Sequence, residues 1–297
     1  MTMMWHMGLR LPWSWRLGPS NSSERAHVFE MLEQEKFPEN TLFCGDAGFV
    51  GYDFWNWILG QGHDFVVRVG GNVNLLCQNM DFERYHDGTV FCWPRDKQAK
   101  QPPLRLRLVQ IKVGSAEMYL LTSVLDSTRL NCKQIGELYK MRWGVEVEFR
   151  GLKQTLKKSK LRCRNAQRLY AELSWSIMAM AVAELLALKE QIAATASPSA
   201  ESSGTDDRAY QPKDLSLANT MRAIYGCLDN LEEVVVDDGL QDRLNRAVTD
   251  RYVRKAKKAA RYRPKNPDKK KLGEPKIRKL NDDEIRKMKQ NAYRNAA

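Results

Sequence analysis

Four histidines and six cysteines among 297 residues leave little from which to build a soft-metal or disulfide framework. His6, His27, His63 and His86 have no spacing that suits a metal or a catalytic triad. The cysteines (44, 77, 92, 132, 163 and 227) form no C-x-x-C pair, which excludes a zinc ribbon and a disulfide scaffold and points to a reducing compartment. The opening MTMMWHMGLRLPW has neither a basic leader nor a small-residue cleavage site, and Pro12 interrupts it, so it does not read as a signal peptide. The longest apolar stretch, 173–188, is broken by Glu184 and falls short of a bilayer. It reads as a buried helix, and no membrane partner is expected. No aspartate precedes Asp46, and no internal repeat is visible.

Positive charge is abundant but uneven. The formal net charge is +12, and residues 251–297 alone hold 18 Lys or Arg against 5 acids. The body is therefore nearly neutral, which makes a second basic cluster at 139–170 stand out, with ten cations against two acids. Such concentrated charge favours nucleic acid through counterion release. The tail has almost no bulky apolar residues to insert into a membrane.

The order of elements predicts an α/β fold. MMWHMGL and PWSWRLG are short strand-like runs, and SNSSERAHVFEMLEQ follows as a helix with Asn21 and Glu24 in capping-box spacing. TLFCGD is an apolar strand that ends in Asp46. YDFWNWILGQG is a helix with Asp53 as its N-cap, and DFVVRV is a buried strand. This alternation argues for some parallel pairing. The expected divisions are 1–69 as an α/β core piece, 70–130 as a β-rich insertion and 131–195 as core helices. A Ser/Ala/Gly linker at 196–213 and a helical, basic region at 214–297 complete the chain. Two helices are expected near 214–228 and 239–258, before a tail that orders only when bound.

The most informative run is GELYKMRWGVEVEFRGLKQTLKKSK. Read as one helix at about 100° per residue, Tyr139, Arg142, Glu146 and Lys153 fall on a single face about 60° wide. Glu148 falls on the opposite side. Leu138, Met141, Val145, Phe149, Leu152 and Leu156 form a separate apolar stripe. Charged residues at helical spacing are most often a solvated face. Here, though, cations outnumber acids too far for ion pairing to account for them.

The spacing Y-x2-R-x3-E-x6-K resembles the signature of DDE transposases of bacterial insertion sequences, the insertion-sequence-four group. The D-x-G-F segment at Asp46 is similar to the second aspartate region of that family, and the resemblance covers roughly residues 3–175. It implies a ribonuclease-H-like core in which three carboxylates hold two Mg²⁺ or Mn²⁺ ions about 3.5–4 Å apart for phosphodiester cleavage and strand transfer. Asp46 and Glu146 would be catalytic, metal-binding acids. Tyr139, Arg142, Lys153, Lys157 and Lys158 would contact double-stranded DNA, at transposon ends and target. The resemblance also implies a homodimer in a synaptic complex, a cytoplasmic, nucleoid-associated bacterial protein, and in some members a DNA hairpin step.

The family's first aspartate has no counterpart here, since Asp46 comes first. The expectation is an N-terminally truncated copy that lacks one core strand. The alternative is a catalytically inactive DNA-binding fragment that modulates a full-length transposase. A basic RNA-associated protein is a third reading, supported by the tail alone. Trp93 is a weak candidate for stacking on a flipped base, with a buried core role favoured.

Overall fold

The computed structural model describes residues 1–78, 87–113, 116–196, 215–229, 239–248 and 273–290. In chain order its first half comprises β1 (Thr2–His6), β2 (Leu11–Arg16), α1 (Glu24–Gln34), β3 (Leu42–Gly45), α2 (Tyr52–Gly60), β4 (Asp64–Val69), β5 (Asn74–Cys77), β6 (Asp87–Cys92), β7 (Leu104–Val113) and β8 (Ala116–Thr122). The second half comprises α3 (Cys132–Met141), α4 (Gly144–Gln154), α5 (Ala166–Ala196), α6 (Leu217–Asp229), α7 (Leu240–Asn245), β9 (Lys276–Lys279) and α8 (Asp282–Gln290). The chain divides into two compact units. One comprises 1–31 and 143–261, and the other 32–142 and 262–297.

The second unit is built on a seven-stranded mixed sheet of order β3-β4-β8-β7-β6-β5-β9. β3 and β4 run parallel, with Leu42 opposite Asp64 and Gly45 opposite Val67. A parallel pair needs a crossover, and α2 provides it. Gly62 follows that helix at φ 74°, where a residue without Cβ ends a helix cheaply. Trp55 stacks on Phe65 at 5.5 Å and anchors α2 to β4. Val66, Val109, Leu120, Ile135 and Tyr139 form one buried cluster that seats α3 on the sheet. Arg107, nearly buried, donates to the Leu130 carbonyl at 2.6 Å and so holds the loop that enters α3. The strands expected within 70–130 do not form a sheet of their own, because β8 pairs antiparallel with β4.

The first unit contains the antiparallel hairpin β1-β2 and the helices α4, α5, α6 and α7. Its core is Met3, Leu152, Ile177, Met180, Ala183 and Leu217, with Val145, Phe149 and Leu156 packed against them. The apolar residues read from the sequence on α4 therefore do face a core.

Several local expectations are corrected. α1 begins at Glu24, and Ser23, not Asn21, caps it by accepting from the Ala26 N–H at 3.4 Å. The N-cap of α2 is Gly51, and Asp53 lies inside the first turn, where it pairs with Lys97 at 2.8 Å. α5 runs for 31 residues, beyond the 173–188 stretch, and is long and apolar enough to cross a membrane by length and composition alone. It nonetheless buries Glu184 and Gln191 within its own unit. The helix expected over 239–258 is the short α7, and residues beyond 248 lie outside the described ones until 273. Residues 273–290 do not wait for a ligand to order. β9 pairs parallel with β5, and Arg278 holds Glu284 through a two-pronged ion pair at 2.8 and 2.6 Å. The expected linker, from residue 197 on, and His86 lie outside the described residues.

Candidate nucleic-acid interface and carboxylates

Asp46 follows β3 directly, where the chain leaves the sheet. Its side chain is exposed, and Oδ1 accepts the Gly48 N–H at 2.8 Å while its carbonyl accepts the Phe49 N–H at 3.1 Å. A Cβ at Gly48 would lie only 3.0 Å from Oδ1, so the glycine lets the turn close on the carboxylate. Tyr139 sits in the same unit, 7% exposed, with the Arg142 guanidinium 5.4 Å from its ring centre. Burial raises the pKa of the Tyr139 hydroxyl; Arg142 and Arg68 oppose that, and Cys44 and Asp46 add to it. Those five groups share one electrostatic neighbourhood. The Cys44 thiol is pushed up to about 12 by burial, against the pull of Arg142, so it is not a nucleophile at neutral pH.

The signature does not lie on one helix. α3 ends at Met141, Arg142 and Trp143 form a turn, and α4 begins at Gly144. Both residues keep right-handed helical dihedrals, but the N–H groups of Glu146 and Val147 both converge on the Trp143 carbonyl, at 3.1 and 3.3 Å. Gly144 is a poor helix former and marks the break. Tyr139 and Arg142 thus belong to the unit that holds Asp46, and Glu146 and Lys153 to the other.

On α4 the two sides differ in chemistry. Gly144, Glu148 and Gly151, at i, i+4 and i+7, turn inward. A Cβ on Gly151 would meet Leu217 at 2.7 Å. Glu146, Phe149, Arg150, Lys153 and Gln154 line a shallow cleft of about 330 Å³. Arg150 escaped the sequence reading. The period that places Glu146 and Lys153 on one face includes it, but the transposase spacing does not. Lys157 is exposed with φ 56°. The Lys158 ammonium is held by Glu172 at 2.8 Å. Trp143 is 53% exposed, an unusual position for an indole and a second feature the sequence reading passed over.

Behind the cleft, Glu148 accepts the Trp5 indole N–H at 3.1 Å and shares a hydrogen bond with Glu184. Burial pushes the Glu148 carboxyl up to about 7, against the hydrogen bonds from Trp5 and Glu184. Glu184 rises further, through burial and the neighbouring Glu148 charge. Between them the two carboxyls hold at least one proton at neutral pH. The buried-Trp reading of Trp93 is the one the fold gives: it is 3% exposed, and its N–H donates to the Gln101 carbonyl at 2.7 Å.

Asp46 and Glu146 offer the hard oxygen donors that Mg²⁺ and Mn²⁺ prefer. Among the described residues, however, no three His, Cys, Asp or Glu side chains come together to hold an ion. The donors fit in kind and not in number.

Residues 3–182 match the family described as transposase DDE domain. Over 73 residues the chain is 32% identical to the transposase InsG for insertion sequence element IS4 of Escherichia coli (strain K12). That match takes in 24% of this chain and 16% of the relative. With more than half of its length matched, the chain belongs to the transposase DDE domain family, of the IS4-like kind.

Proposed function

We propose that this chain grips double-stranded DNA at transposon ends and contributes Asp46 and Glu146 to a DDE carboxylate set for strand cleavage and transfer. The observation that carries the reading is the α4 cleft, where one carboxylate, Glu146, stands beside two cations, Arg150 and Lys153. Phosphate oxygens are the natural partners of such cations. Arg142 serves the DNA from the other unit, with the buried Tyr139 ring behind its guanidinium in place of a direct contact, and exposed Lys157 extends the basic surface. Lys158 acts through Glu172 first, as a brace for the segment after α4. The core is read as ribonuclease-H-like on family grounds, and the assembly this calls for is two chains on two ends. The place of action is the bacterial nucleoid.

The third carboxylate is not an aspartate of residues 1–45, because there is none. Together with the lack of a three-acid cluster among the described residues, this favours a specific form of the reading. The chain binds DNA alone and cleaves only when a third carboxylate joins Asp46 and Glu146. The same observation supports a second reading, of a non-cleaving DNA-binding chain that modulates a complete transposase.

DNA affinity measured against salt tests the gripping surface. Each phosphate contact contributes about 0.9 to the slope of log K against log salt. Arg142→Gln with Lys153→Gln should lower the slope by about 1.8, on that count of two contacts. If only the triple variant K269Q/K270Q/K271Q lowers it, the tail alone binds, and the reading fails.

A further inference from the structure

We infer that Trp5, on the β1-β2 hairpin, is a positioning residue that fixes the rotation of α4 and so aims Arg150 and Lys153 into the cleft. The inference rests on the reading of that cleft as a DNA-contacting surface. Two contacts, one helical turn apart, carry it. A Cβ built on Gly144 would collide with Trp5 Cη2, Cζ3 and Cζ2, so the indole lies flush against the helix backbone where only glycine fits. One turn on, the same indole donates its N–H to Glu148 Oε1 at 3.1 Å.

These two residues flank Glu146 in sequence and lie on the opposite side of α4. At 100° per residue, Gly144 and Glu148 stand within about 40° of each other, and Glu146, Arg150 and Lys153 fall at about 180–240° from Gly144. A helix held by a single contact can roll about its axis. A flat ring against one turn and a directional hydrogen bond to the next prevent it. For side-chain tips about 5–6 Å from the axis, a 30° roll moves a charged group about 3 Å, enough to break a phosphate contact. Leu217 against Gly151 supports the far end of the same inward face but adds no polar lock.

The test is a salt titration of duplex DNA binding by the full chain, read by fluorescence anisotropy. Four chains are compared: the parent, Trp5→Leu, Arg150→Gln/Lys153→Gln, and the triple combination. Trp5→Phe, which keeps an aromatic body on the hairpin but gives up the N–H and the outer ring atoms that lie against Gly144, covers the case in which Trp5→Leu does not fold. Ile177→Val, a change in the same core away from the indole, controls for stability. The R150Q/K153Q chain should lose about 1.8 from the salt slope. Trp5→Leu should lose a comparable amount in the parent, Trp5→Phe a smaller one, and Trp5→Leu nothing more in the R150Q/K153Q background. Ile177→Val should leave the slope unchanged. If R150Q/K153Q binds with the parental slope, the cleft reading fails and takes this inference with it. If R150Q/K153Q lowers the slope but Trp5→Leu does not, or lowers it equally in both backgrounds, positioning by Trp5 is overturned and the cleft reading stands.

Discussion

Replacing Glu184 by Gln should change how the stability of the first unit depends on pH. Glu184 and Glu148 lie 3% and 6% exposed, and each carboxyl is raised from an ordinary value near 4.5, Glu148 to about 7 and Glu184 to about 10. Burial is the main cause for both. The folded chain therefore keeps protons that the unfolded chain releases above about pH 4.5. Stability from the neutral pair is fully present below that pH and is lost as pH rises, through 7 for Glu148 and beyond for Glu184. One retained proton costs about 1.4 kcal/mol per pH unit, so Glu184 alone removes about 4 kcal/mol between pH 5 and 8. Gln keeps the shape and the hydrogen-bonding capacity but cannot ionise. Urea unfolding of parent and Glu184→Gln at pH 5, 6.5 and 8 should show the two curves diverging, with the variant ahead by about 4 kcal/mol at pH 8 relative to their difference at pH 5. Parallel pH dependences would refute the shared-proton account.

Three further outcomes follow from the packing. Arg278→Ala leaves the Glu284 carboxylate, 3% exposed, without its two-pronged partner; a loss of about 3 kcal/mol is expected, read as faster hydrogen exchange at Lys276 and Leu280, whose N–H groups bond to Val73 and Cys77. Gly144→Ala drives a methyl into the Trp5 ring and should cost about 1–3 kcal/mol, although alanine is the better helix former; a rise in urea midpoint would contradict the close approach. Trp143→Ala should leave the urea midpoint almost unchanged, because the indole is half exposed, yet weaken DNA binding by about 1–3 kcal/mol if it stacks on a base.

Much of the fold was legible where pattern and burial agree. DFVVRV reads as a strand because a continuous apolar run belongs inside a sheet, and TLFCG reads as a strand on its apolar run although it lies half-buried at the sheet edge, which puts Asp46 at a strand end. The apolar side of α4 was legible because its 3.6 period faces a real core. Part of what failed was decided by contacts distant in sequence. The break at Arg142–Trp143 interrupts an otherwise helical period just before Gly144, which lies against Trp5, 139 residues away. The capping expectations for Asn21 and Asp53 each failed by two residues, which is the scale on which helix ends are set by local geometry rather than composition. β9 could not be read from KIRK, a strand that is mostly exposed and charged and exists because β5 offers an open edge. It also makes tail deletion a poor probe, since that would strip a strand from the sheet.

The most direct test of the central claim is one gel of supercoiled DNA mixed with this chain and Mn²⁺, scored for both retardation and nicking, with Asp46→Asn and Glu146→Gln in parallel lanes. The account predicts retardation by all three proteins and nicking by none, because among the described residues no three acids come together to hold the metal. Nicking by the parent that is lost in Asp46→Asn and in Glu146→Gln would contradict it, and would mean that the carboxylate set is complete within these residues.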